Sequence, residues 1–121
     1  MRIINLTQHN ATQEQVDAGV FEPLESMKET IKRLLTFPAI PTKEEIERAA
    51  QALAWLADAT GAEAAMIGGA PFLMSYLEER LNALNIQPLY AFSVRESVEE
   101  VQGDGSVRKI NVFRHLGFVE M

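Results

Sequence analysis

The stretch Glu63-Ala64-Ala65-Met66-Ile67-Gly68-Gly69-Ala70-Pro71 constrains this chain most. Its apolar part has the length of a buried strand, and two glycines follow, where positive φ and close approach to the backbone are allowed. Pro71 suits a first helical position, because its missing N–H is one of the groups a helix start leaves unpaired anyway. A strand running through glycines into a helix aims free N–H groups and a helix dipole at one spot, which favours an anion such as phosphate. Neither GxGxxG nor GxxxxGK[ST] is present, so a tight turn whose glycines serve packing alone is the competing reading.

Around this junction the spacing predicts strands alternating with helices. Arg2 to Thr7 reads as a first strand, with Thr7-Gln8-His9-Asn10 as its polar exit. Thr12-Gln13-Glu14-Gln15 has the capping-box pattern and opens a short helix that Gly19 ends. A second helix is expected from Leu24 to Leu35, with Leu24, Met27, Ile31, Leu34 and Leu35 on one face, and Pro38 and Pro41 break the chain after it. Thr42-Lys43-Glu44-Glu45 is a second capping box. Its helix carries Ile46, Ala49, Ala50, Leu53, Leu56 and Ala57 at helical spacing and stops at Gly61, with Trp55 near the edge of the stripe as a core or interface aromatic. Ala64–Ile67 is the next strand and Pro71 to Leu84 the next helix, burying Leu73, Tyr76, Leu77, Leu81 and Leu84. Pro88 to Phe92 is a third strand. This alternation predicts a parallel βαβ layout with right-handed crossovers. The last third differs: Val94 to Val101 and Val107 to Phe113 are strand-like arms around the turn signal Gly103-Asp104-Gly105-Ser106, and Leu116 to Val119 extends the second arm. Arg95, Glu96, Glu99 and Glu100 then oppose Arg108, Lys109 and Arg114 across the hairpin, as a solvated face with cross-strand pairs.

Composition narrows the function classes. The 121 residues suit one domain, 1–121, and 47% hydrophobic content with 23% charge belongs to a globular chain. With no cysteine, disulfides and thiolate metal sites are excluded. The apolar run from Ala64 to Met74 is too short to span a bilayer. A soluble, cytoplasmic protein without membrane association is expected. The net charge of −6 argues against a long nucleic acid, but not against a small nucleotide held by a few N–H groups and one or two cations.

Ligands of open α/β sheets bind beyond the carboxyl ends of the strands. That rule selects Thr7, Gln8, His9 and Asn10 after the first strand, Gly68, Gly69, Ala70 and Pro71 after the second, and Ser93 and Arg95 after the third. Together they offer hydroxyls, amides, an imidazole, backbone N–H groups and a guanidinium, which can grip a phosphodiester and move a proton. His9 is the candidate general acid or base. Arg95 is the candidate phosphate clamp, against a salt bridge to a hairpin glutamate. His115 reads as structural. No HExxH occurs and the two histidines lie far apart, so no metal site is expected; no GxSxG elbow is present either.

Taken together, the His9 loop with its Thr-x-x-Gln, the glycine turn, Pro-Leu-Tyr-Ala-Phe-Ser-Val-Arg (88–95), Asp-Gly-Ser-Val-Arg-Lys (104–109) and Val-Phe-Arg-His (112–115) resemble the small stand-alone CRISPR-associated ring nucleases, relatives of the CARF sensor domain. The resemblance spans most of the chain and is strongest from Gln87 to His115. It implies a Rossmann-like (CARF-like) three-layer α/β domain with a mainly parallel central sheet and a C-terminal β-hairpin. It implies a homodimer that binds a cyclic oligonucleotide, cyclic tetra-adenylate in the first instance, across its two-fold axis. The implied reaction uses neither metal nor cofactor: a ribose 2′-OH attacks the adjacent phosphate and leaves a 2′,3′-cyclic phosphate, switching off type III CRISPR signalling in antiviral defence. By position, Gly68, Gly69 and Ala70 would give N–H groups to phosphate, Thr7, Gln8 and His9 would contact ribose or phosphate, and Ser93 and Arg95 would flank the scissile group. The chain departs from the family where Leu116-Gly117-Phe118-Val119 lacks charge and where the glycine turn runs into the apolar Ala70-Pro71-Phe72. A non-catalytic nucleotide sensor or sponge, and a ligand-free interaction protein, are the alternatives.

Overall fold

The computed structural model describes residues 1–121. Along the chain lie β1 (Ile3–Asn5), α1 (Gln13–Asp17), β2 (Val20–Phe21), α2 (Glu25–Leu34), α3 (Lys43–Ala59), β3 (Ala64–Met66), α4 (Pro71–Ala83), β4 (Gln87–Val101) and β5 (Val107–Glu120). One sheet takes the order β2-β1-β3-β4-β5. The first four strands are parallel and β5 runs antiparallel to β4. The fold is therefore α/β, with a mixed five-stranded sheet, four helices and the expected parallel core.

Both capping boxes close. Thr12 and Gln15 exchange hydrogen bonds at the start of α1, and Thr42 and Glu45 do so at the start of α3. Each satisfies helix N–H groups that would otherwise lack partners. Apart from Asn5, β1 and β3 are apolar because both of their faces are covered. Ile4, Leu6, Ala65 and Ile67 point toward α2, α3 and α4, where they meet Ile31, Leu53, Leu73, Leu77 and Leu81. Ile3, Val20, Ala64, Met66 and Leu89 point to the opposite face and pack with Ala11 and Phe118. Burying a leucine such as Leu77 contributes about 2 kcal/mol. Right-handed crossovers put α1 on the face opposite α2–α4, so the layer on that side is thin, a single helix of 5 residues.

Some expectations need correcting. The two-residue strand β2 was not foreseen. Leu24 is no part of the buried stripe of α2; it precedes the helix and is exposed. Trp55 also stays exposed on α3, with no core role. The third strand does not end at Phe92. It continues without a break to Val101, so Ser93-Val94-Arg95 is strand and not an exit loop. The break the sequence suggests is a bulge instead: Phe92 pairs with Gly117 and Ser93 with His115, leaving Leu116 as the extra residue.

β4 pairs with β3 only over Gln87–Leu89. From there β4 and β5 run on as a two-stranded ribbon about 40 Å long at the usual strand rise. Glu99 lies opposite Lys109, Glu100 opposite Arg108, and Arg114 pairs with Glu96 at 3.4 Å. Asp104 closes the tip by accepting from the N–H and hydroxyl of Ser106 at 2.9 and 2.6 Å. Those two bonds hold its carboxyl below the usual aspartate range.

Candidate functional site

The strand order reverses direction between β1 and β3: the chain leaves β1 for β2 on one side, then crosses back to β3 and β4 on the other. Loops leaving such neighbours in opposite directions part and open a crevice at their carboxyl ends. A cavity of about 610 Å³ lies there. The loop after β1 contributes Thr7, Gln8, His9 and Asn10. The turn after β3 contributes Gly68 and Gly69 beside Met66 and Ile67. Thr12 and Gln15 come from α1, and Tyr90 and Ala91 from β4.

The loop after β1 is held rigidly. Asn5, only 2% exposed, donates from Nδ2 to the carbonyl of His9 at 2.7 Å and to both carboxylate oxygens of Glu22 at 3.0 Å. Its Oδ1 accepts from the N–H of Thr7 at 2.9 Å, with the Thr7 hydroxyl 2.7 Å away. Glu22 also accepts from the N–H of Ala11 at 2.6 Å, and Lys28 approaches it at 3.8 Å. The buried Asn5 amide and the half-buried Glu22 carboxylate thus satisfy each other while pinning both ends of the loop. The fixed part is the backbone. The imidazole of His9 makes no hydrogen bond within the protein and remains exposed at the cavity.

The turn after β3 offers donors. Unlike α1 and α3, α4 starts without a side-chain cap. The N–H groups of Gly68, Gly69 and Ala70 have no acceptor within the protein. Gly69 adopts φ +155°, which a side chain rarely does, whereas Gly68 needs no such conformation and has only the Thr7 methyl near it. Three consecutive free N–H groups at the positive end of a 13-residue helix form an electropositive rim. Ala70, the last of the three, and Pro71 are not among the residues lining the cavity.

Tyr90 lines the cavity and ties β4 to α4. Its hydroxyl donates to Glu78 of α4 at 2.5 Å. Burial first, then the hydrogen bond and the negative charge of Glu78, push the phenol well above its usual range, so it stays a donor and never a base here.

The hairpin residues lie elsewhere. Ser93 and Arg95 sit on the ribbon outside the cavity lining, and the Arg95 guanidinium stacks over Phe113 at 5.4 Å. It makes no salt bridge with a hairpin glutamate; Arg114 does. His115 packs edge-on against Phe118 at 4.9 Å with a buried, unpartnered Nδ1. No lysine or arginine lines the cavity. On the far side of the His9 loop, a smaller cavity of about 180 Å³ contains Lys28 and Lys32, together with Glu22 and Glu29. No three His, Asp or Glu side chains gather as a metal site would require. No helix is long and apolar enough to cross a membrane.

Sequence reasoning missed Asn5 and Glu22. The Asn in an otherwise apolar first strand was the available signal, since a buried amide needs partners. It also read Gln15 only as a cap.

The fold and the cavity define an α/β domain with a donor-rided crevice at the reversal point of its sheet. The chain belongs to the family described as "Uncharacterized protein MJ1673 family", whose model matches residues 1–119. No curated protein and no solved structure matches it.

Proposed function

We propose that the protein is a metal-independent, ring nuclease-like phosphodiesterase that binds and cleaves cyclic oligoadenylate in this crevice. The observation that carries the reading is the juxtaposition, in one cavity, of a free imidazole on a pinned loop with the free N–H groups of Gly68 and Gly69, next to which stands that of Ala70. A phosphodiester seated on the N–H rim has its negative charge met by the backbone. The neighbouring ribose 2′-OH then attacks phosphorus and the P–O5′ bond breaks. The products are a 2′,3′-cyclic phosphate and a 5′-hydroxyl, so no water is consumed. His9 takes the 2′-OH proton or returns one to the leaving O5′. Thr7, Gln8 and Asn10 hold the ribose and phosphate in line, and Pro71 starts the helix that aims the N–H groups.

In this reading the molecule acts as a homodimer, and Ser93 and Arg95 reach the scissile group from the ribbon, supplying the cation that the cavity of one chain lacks. That missing cation also favours a second reading, a nucleotide-binding sensor or sponge that does not cleave. Incubation with cyclic tri-, tetra- and hexa-adenylate in EDTA, followed by chromatography, separates the two. Linear products ending in 2′,3′-cyclic phosphate are expected. Retention of a ring without cleavage establishes the sensor, and neither cleavage nor retention sinks both.

A further inference from the structure

Gln15 is only 8% exposed and lines the cavity. Its Oε1 accepts the Thr12 N–H at 3.0 Å, while its own N–H donates to Thr12 Oγ1 at 3.2 Å. The first of these bonds fixes the amide orientation, because the Thr12 N–H requires an oxygen opposite it; the second is made by the Gln15 backbone. The other amide atom must be the nitrogen, and Nε2 makes no hydrogen bond within the protein. Arg80 Nε and His115 Nδ1 are the buried side-chain polar atoms left without a partner, so the Gln15 nitrogen is not sealed in the core: it is open to the cavity with both of its donors free. The residues beside it on the cavity floor include Met66 and Ala91, which are apolar.

We infer that Gln15 is a specificity-determining residue whose Nε2 donates to a ring-nitrogen acceptor of a purine base. The inference rests on the nucleotide reading of the cavity. A neutral amide beside an apolar floor suits the edge of a planar base lying on Met66 and Ala91. Phosphate is drawn instead to the free N–H groups at Gly68 and Gly69. With the carbonyl already held by Thr12, the side chain presents a donor, so it selects an acceptor on the base. The capping box thus has two roles: it starts α1 and it holds a recognition amide in one orientation.

The same motif supplies a clean test, because a capping box accepts Glu as readily as Gln. Gln15→Glu keeps the oxygen that Thr12 needs and replaces the NH₂ with a second, charged oxygen. Gln15→Met removes the donor without adding charge, which separates a lost hydrogen bond from charge repulsion. Binding of cyclic tetra-adenylate is measured by calorimetry, and ¹⁵N-labelled protein is titrated with the same ring and with inorganic phosphate. Gln15→Glu is expected to melt close to the wild type, and both variants to bind the ring about tenfold more weakly or worse. The ring should shift the Gln15 side-chain NH₂ resonances, and phosphate alone should shift only the glycine amides. Unchanged affinity in the variants overturns the inference, as does an NH₂ shift with phosphate alone. A ring that shifts Gly68 and Gly69 but not Gln15 overturns it while leaving the nucleotide reading intact. No shift anywhere with the ring overturns both.

Discussion

Asn5 and Glu22 hold one another across the β1–β2 pair: the Asn5 amide nitrogen lies 3.0 Å from both carboxylate oxygens of Glu22. Neither residue lines the larger cavity, yet between them they fix Thr7, His9 and Ala11. Glu22→Gln places an amide NH₂ where donors already converge. We expect a loss of about 1–2 kcal/mol by denaturant unfolding. The Ala11 amide should lose hydrogen-exchange protection while the Ile67 amide, bonded to Leu89 on the far side of the sheet junction, keeps its own. Equal loss at both would show that the pair supports the whole fold and not this loop.

The two glycines after β3 should differ sharply. A methyl group at Gly68 meets only the Thr7 methyl, at 3.6 Å, with no strained φ. At Gly69 the added carbon has room, 3.4 Å from the Met74 methyl, but φ is +155°. Gly69→Ala is therefore expected to destabilise by about 1–3 kcal/mol and Gly68→Ala by well under 1 kcal/mol, read as shifts of the urea midpoint. Similar midpoints for both would mean that the turn relaxes freely, and the pinned N–H rim would lose its support.

The Tyr90 phenol gives a prediction at alkaline pH. Its folded-state value lies above that of the unfolded chain, about 10. The proton is therefore retained in the fold at pH values where the unfolded chain releases it. The stability from this group is complete below pH of about 10 and declines as pH rises through the raised value. Tyr90→Phe should flatten that alkaline decline in a series of denaturant melts, at some cost at neutral pH from the lost bond to Glu78. Subtracting the ultraviolet titration of Tyr90→Phe from that of the wild type isolates the phenol. Ionisation of that difference signal in the ordinary tyrosine range would contradict the half-buried pairing with Glu78.

Local signals were legible and pairings were not. Thr12 with Gln15 and Thr42 with Glu45 announce helix starts within four residues, and both appear as read. The face formed by Ala49, Ala50, Leu53 and Ala57 follows from helical period alone. β2 is two residues, Val20 and Phe21, too short for any period, and it exists because β1 pairs with it. Glu22 follows β2, so its grip on Asn5 was hidden with it. Ser93 and the charges after it read as punctuation, yet β4 runs through them because β5 pairs with it to the tip and Leu116 absorbs the irregularity. Of the expected site, the loops after β1 and β3 meet in one cavity because both follow parallel strands. Ser93 and Arg95 stand apart because their strand did not end.

The ribbon makes the strongest demand on what surrounds the chain. A two-stranded hairpin is marginal in water, and this one extends far beyond the third strand that supports it. Phe92, Phe113 and Leu116 are each at least half exposed along it, and the outer edge of β5 has no strand beside it. Such an edge is a template for another strand unless something covers it. On the proposed homodimer, a second copy covers it, and light scattering at micromolar concentration should give twice the chain mass. Phe113→Glu should then yield a monomer whose ribbon amides exchange quickly, while the parallel sheet still unfolds cooperatively. The Arg95 guanidinium, deprived of the ring it stacks on, should lose its fixed position in that variant. Mixing it with His9→Ala protein tests the shared-site reading, since a monomer cannot lend its ribbon. A wild-type chain that remains monomeric at these concentrations would return Ser93 and Arg95 to a surface role and leave His9, Gln15 and the glycine amides as the whole of the site.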